Sequence, residues 1–123
     1  MLRKVAFTMY PVTDMDRAVA FYRDVLGLEQ VGPNTEFWVE FDLPGGGCLA
    51  ITNVTPGQPS ANAGGTIAFE VDDLPSLIAD LKAKGVAFPA DNIESPVCRM
   101  AVCLDSEGNS IILHKLKSEA ERA

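Results

Sequence analysis

The sequence predicts an α+β domain built from two tandem βαβββ modules. Three observations carry that reading. A strand-Asp-helix-Gly pattern occurs twice, at residues 5–28 and 66–88. Each helix carries apolar residues at i, i+3, i+4 and i+7. Each module ends in strand candidates joined by a turn-forming loop. Neither module covers both faces of its own sheet, so the two are expected to form one domain over residues 1–123. Module one takes residues 3–53, a linker residues 54–64, and module two residues 65–116.

In the first module a strand from Val5 leads to Asp14, placed to accept free N–H groups of a helix's first turn. Ala18, Phe21, Tyr22 and Val25 form that helix's apolar face, and Gly27 permits the left-handed backbone that stops it. Strands are expected at Leu28–Val31, Glu36–Asp42 and Cys48–Thr52, with Pro44-Gly45-Gly46-Gly47 as a hairpin loop. The stretch 53–65, rich in Pro, Gly, Ser and Asn, links the halves. In the second module Asp73 caps a helix whose face is Leu74, Leu77, Ile78 and Leu81, and Gly85 stops it. Strands follow at Val86–Phe88, Val97–Leu104 and Ser110–Leu116, with the loop Asp105–Asn109 between the last two. The polar tail from Lys117 is expected to fray.

Composition narrows the function classes. The 123 residues are 47% hydrophobic and 22% charged, as in a well-cored soluble globule. The net charge of -7 argues against nucleic acid and anionic membranes as partners and suits a cationic or neutral ligand. No apolar run is long enough to span a membrane, and Met1-Leu2-Arg3-Lys4 shows no cleavable signal pattern. Cys48, Cys98 and Cys103 are odd in number and lack Cys-x-x-Cys spacing. They read as buried, reduced thiols of a cytoplasmic protein.

Two motifs then point to a family. Asp14-Met15-x-x-Ala18-x-x-Phe21-Tyr22-x-x-Val25-Leu26-Gly27-Leu28, with Asp105-x-Glu107-Gly108-Asn109-x-Ile111 far downstream, resembles the vicinal oxygen chelate superfamily. That group includes glyoxalase I, extradiol dioxygenases, fosfomycin-resistance enzymes and bleomycin-resistance proteins. The resemblance implies a cupped mixed sheet with helices outside and a cavity inside, completed across a homodimer. It also implies a divalent metal held by a His on the first strand of each module and a Glu on the last.

Carried over residue by residue, those ligands are missing. The first His position, seven before Asp14, is Phe7; the second, seven before Asp73, is Thr66; the Glu position is Ile112. The matching place in module one is Leu49 or Ile51. None but Thr66 offers a lone pair, and a hydroxyl is a weak ligand. No metal and no other cofactor is therefore expected.

Strand alternation from these positions puts Met9, Ala68, Glu70 and His114 on the cavity face. Phe37, Val39 and Phe41 should face the helix, leaving Trp38 and Glu40 toward the cup, while Arg99 and Met100 point oppositely. The expected ligand-binding set is Phe7, Met9, Trp38, Glu40, Thr66, Glu70, Met100, Ile112 and His114. Glu70 and His114 are the catalytic candidates, with Glu70's pKa raised by burial. Blander readings stand beside these: His114 as a surface residue, Glu70 as solvated, Trp38 as core filling. A displaced metal site of Glu40, Glu70 and His114 is a further possibility. The expected function is binding of a small cationic or partly apolar ligand without metal. The alternatives are a lyase, isomerase or dioxygenase of the superfamily with displaced ligands, or a structural member that binds nothing.

Overall fold

The computed structural model describes residues 1, 3–32, 34–55 and 57–122. Leu2, Pro33, Pro56 and Ala123 lie outside the described residues, and with them small parts of the N-terminal lead, the linker and the tail. The chain divides into two compact units. One is Met1–Ser60 together with Ser106–Asn109; the other is Ala61–Asp105 together with Ser110–Ala123.

The first unit runs β1 (Thr8–Pro11), α1 (Met15–Ala20), a π-helical turn (Phe21–Val25), β2 (Glu29–Val31), β3 (Trp38–Asp42) and β4 (Cys48–Thr52). Its sheet has the order β1-β4-β3-β2, with β1 parallel to β4 and the other pairs antiparallel. The Asp14 carboxylate accepts from the Arg17 amide at 3.0 Å and so starts α1. A uniform α-helix was expected through Val25, but its second half is π-helical. The Leu26 amide reaches back five residues to the Phe21 carbonyl, and Leu28 reaches Tyr22. The wider turn lets adjacent Phe21 and Tyr22 both enter the core. Tyr22 stacks at a tilt on Phe41, with ring centroids 5.8 Å apart, over fully buried Leu49 and Ile51. Each such side chain contributes about 1.5–3 kcal/mol of burial.

The second unit repeats the plan with β5 (Ile67–Glu70), α2 (Leu74–Ala83), β6 (Ala90–Glu94), β7 (Cys98–Leu104) and β8 (Ser110–Leu116). The sheet order is β5-β8-β7-β6, with β5 parallel to β8. Asp73 accepts from the Ser76 amide at 3.1 Å, and Leu74 and Leu81 bury the helix face. Gly27 and Gly85 hold φ of 74° and 86°, the left-handed region that ends each helix. The fold is thus α+β with two βαβββ modules, as the repeat implied.

Three local expectations are corrected. The strand expected at Val86–Phe88 lies instead at Ala90–Glu94, a polar edge strand whose register slips between Ala90 and Ile93. Phe37 stands outside β3 and is 50% exposed rather than packed under the helix. The tail expected to fray carries a short helix: Glu119–Arg122 form α3, begun by a reciprocal cap. The Glu121 amide donates to Ser118 Oγ and the Ser118 amide to Glu121 Oε1. Arg99 holds the same Glu121 at 2.9 Å. The three cysteines are free thiols, Cys98 and Cys103 buried and Cys48 half-buried.

Candidate functional site

Each sheet has one face under its helix and one face without a helix. In the first sheet, Tyr10, Ile51 and Val39 form one cross-strand row, and Leu49 pairs with Phe41 in the next; all are buried. The opposite parity puts Met9, Ala50 and Glu40 in one row, and Trp38 opposite Thr52 in another. Leu49 and Ile51 therefore lie on the helix side, and Ala50 is the residue that shares the face of Met9 and Glu40.

Trp38 is held from two sides. Phe7 meets its ring edge-on, with centroids 5.5 Å apart and planes at 87°. Its indole N–H donates to Glu40 Oε2 at 2.8 Å. The other carboxylate oxygen, Oε1, accepts from the Cys48 thiol at 3.3 Å. Burial first, and then this carboxylate, push the Cys48 pKa up to about 11. The backbone entering β3 is pinned as well: the Phe37 and Trp38 amides both donate to Thr35 Oγ1, and the Glu40 amide to Asn34 Oδ1. Phe7 and Met9 remain 48% and 41% exposed. The result is a rigid aromatic corner with a fixed carboxylate and exposed apolar neighbours.

In the second sheet Glu70, His114 and Met100 form one cross-strand row, and Ala68, Ile112 and Val102 the next. Glu70 Oε1 pairs with His114 Nδ1 at 2.5 Å, and Glu70 Oε2 accepts from the Leu116 amide at 2.9 Å. The expected rise in the Glu70 pKa is reversed. The Leu116 amide, followed by His114, holds this carboxyl below its ordinary value. Its side chain is 55% exposed, so desolvation is too weak to overcome those bonds. Thr66 precedes β5 and is exposed.

These residues do not suit a divalent metal. Phe7, Ala50 and Ile112 have no donor atom, and Thr66 has a single hydroxyl. Among the described residues no group of three His, Cys, Asp or Glu side chains is placed to hold an ion. Glu40 is committed to Trp38 and Cys48, while Glu70 and His114 pair with each other. The displaced site of Glu40, Glu70 and His114 is thereby set aside.

Sequence reasoning placed Glu107 in a motif but missed its role. Its side chain is fully buried and accepts from the Thr13 and Asp14 amides, the Thr13 hydroxyl and the Arg17 guanidinium, which approaches at 2.6 Å. Burial would raise its pKa, but Arg17 and then the two amides outweigh burial and bring it to about 2. Asn109, two residues on, donates to the Pro11 carbonyl at 2.8 Å and accepts from the Ser60 amide. The Asp-x-Glu-Gly-Asn loop thus ties down the start of α1. A groove of about 370 Å³ on the helix side of the first unit was also unforeseen. Met15, Val19 and Val39 line it, with Asp16, Arg23 and Glu36 among its polar residues.

Residues 4–113 match the model of the Glyoxalase/Bleomycin resistance protein/Dioxygenase superfamily. The chain belongs to this superfamily. Solved structures of similar fold include TnmS3, an antibiotic binding protein from Streptomyces sp. CB03234, with a TM-score of 0.79 and 22% identity. That match covers 94% of this chain and 98% of TnmS3. A superfamily member from Sphaerobacter thermophilus DSM 20745 aligns with a TM-score of 0.76 and 24% identity, covering 93% and 98%. Lactoylglutathione lyase from Agrobacterium tumefaciens gives 0.74 and 21%, covering 91% of this chain and 92% of its own. No curated protein sequence matches. Within the superfamily, this chain has Phe7, Thr66 and Ile112 where the sequence resemblance places the metal ligands.

Proposed function

We propose that this protein binds a small, partly apolar ligand, cationic or neutral, against the Trp38 corner and without a divalent metal. The observation that carries the reading is the way Trp38 is held. An indole fixed by Phe7 and Glu40, beside exposed Phe7 and Met9, offers a preformed flat surface that loses little entropy when a ligand stacks on it. The Glu40 carboxylate and the net charge of -7 favour a cation over an anion. Antibiotic binding by TnmS3, which shares 22% of its residues with this chain, is an instance of small-molecule binding on this fold and supports the reading. Free thiols and an acidic surface suit a cytoplasmic setting.

Trp38 is the sole tryptophan, so its fluorescence reports on the corner directly. In a screen of aromatic amines and cationic antibiotics, a true ligand is expected to quench or shift that emission saturably. The same ligand should raise the melting temperature, and Trp38→Leu should weaken binding about tenfold or more. Ligands that stabilise the protein with no change in Trp38 emission would move the site elsewhere, the helix-side groove being the first place to look. Exposed Val5, Phe7, Met9 and Phe37 also favour pairing of two chains. Sedimentation over a dilution series is expected to give twice the chain mass of 13.2 kDa. A monomer at every concentration would refute it.

A further inference from the structure

β5 ends at Glu70 whereas its parallel neighbour β8 continues to Leu116. The Leu116 amide takes the Glu70 carboxylate instead, at Oε2. The chain just beyond Glu70 is fixed too, since the Val71 amide donates to the His114 carbonyl at 2.9 Å. One carboxylate oxygen is therefore anchored on backbone, and the other faces His114 Nδ1.

An ionised carboxylate has only acceptor sites, so Nδ1 must carry the hydrogen of that bond. In the neutral ring the lone pair is then left on Nε2. Among the described residues no hydrogen-bond partner meets Nε2, and the His114 side chain is 29% exposed. Its row on the sheet continues into Met100 and Ile93, and the next row is Ala68, Ile112 and Val102. An imidazole whose acceptor nitrogen is fixed thus stands at the edge of an apolar strand face.

We propose that His114 Nε2 is a proton-accepting site for a weakly acidic hydroxyl on an sp² carbon, a phenol or an enol, whose apolar body lies over Met100 and Ile112. The thioether of Met100 favours an aromatic ring there. In the transfer the ligand's O–H bond breaks and an Nε2–H bond forms. The electron pair stays on the ligand oxygen, and the imidazolium is stabilised by the Glu70 carboxylate. Glu70 is a positioning residue: it selects the tautomer and orients the ring without touching the ligand. This site is independent of the Trp38 reading, and its test reads His114 alone.

The chain has one histidine, so long-range ¹H–¹⁵N correlation on the full protein shows a single imidazole. The spectrum is taken above the usual imidazole titration range. The expected result is hydrogen on Nδ1 and a bare Nε2, the reverse of the tautomer that predominates in free histidine. Titration with 4-chlorophenol, which is protonated under these conditions, should shift Nε2 saturably toward the protonated position. His114→Gln should weaken 4-chlorophenol binding about tenfold, as loss of one hydrogen bond implies. Glu70→Ala should return the ring to mainly Nε2–H; a ring unchanged by that substitution overturns the positioning role. Should Glu70→Ala fail to fold, the parent spectrum alone decides. Hydrogen on Nε2 in the parent, or an Nε2 resonance indifferent to 4-chlorophenol, overturns the proposal.

Discussion

Glu107 is a carboxylate with no exposed side-chain surface, stable there because every direction it faces supplies a donor. Replacing it with Gln keeps the shape and removes the charge opposite Arg17. A loss of about 2–3 kcal/mol in urea unfolding is expected, reduced from the value of a fully buried pair because Arg17 is half-exposed. The sign of the pH effect follows from the lowered pKa. The folded carboxyl titrates at about 2 and the unfolded one near its ordinary value, so the stabilisation is complete above about pH 5. It fades as pH falls from there toward 2. Glu107→Gln should therefore flatten the acid limb of the stability curve, and an unchanged limb would show that other carboxylates set it. Cys48 gives a second residue-level test. With its pKa near 11, its thiol should react with a disulfide reagent roughly tenfold more slowly than an unperturbed thiol, the lost thiolate fraction being partly offset by the greater nucleophilicity of the thiolate that remains.

At the level of elements, local features were legible and pairings were not. Asp14, Asp73, Gly27 and Gly85 act within one turn of the chain, so sequence spacing alone located both helices. Cys48–Thr52 and Ser110–Leu116 were read to the residue because continuous apolar runs met a turn on one side. β6 was not, since Ala90-Asp91-Asn92-Ile93-Glu94 is polar and gains its strand character from pairing with β7. Parity put Trp38 with Glu40 and Glu70 with His114, yet it was silent on how each pair bonds. The Glu70 pKa was misjudged for that reason: it depends on a Leu116 amide 46 residues away. The helix stops can be tested directly. At Gly85, φ is 86°, and an alanine is expected to cost roughly 1 kcal/mol through backbone strain alone, because a Cβ there meets nothing within 4 Å. Gly45 is equally open but lacks a positive φ, so Gly45→Ala should be neutral or slightly stabilising. Equal effects at the two sites in thermal unfolding would contradict the strain argument.

The whole molecule is less separable than its sequence repeat suggests. Residues 106–109 belong to the first unit although the second surrounds them in the chain. A fragment of residues 1–60 would keep β1 through β4 but lose Glu107 from the start of α1 and Asn109 from Pro11 and Ser60. It is expected to show no cooperative unfolding by the near-ultraviolet signal of Trp38, and a sharp transition in that fragment would refute the dependence. The same arrangement bears on synthesis. A ribosome delivers a chain from its N-terminal side, so residues 1–60 emerge well before the four residues that complete the first unit. Thr13 waits for a partner 94 positions later, so residues 106–109 must clear the exit tunnel before the first unit can close.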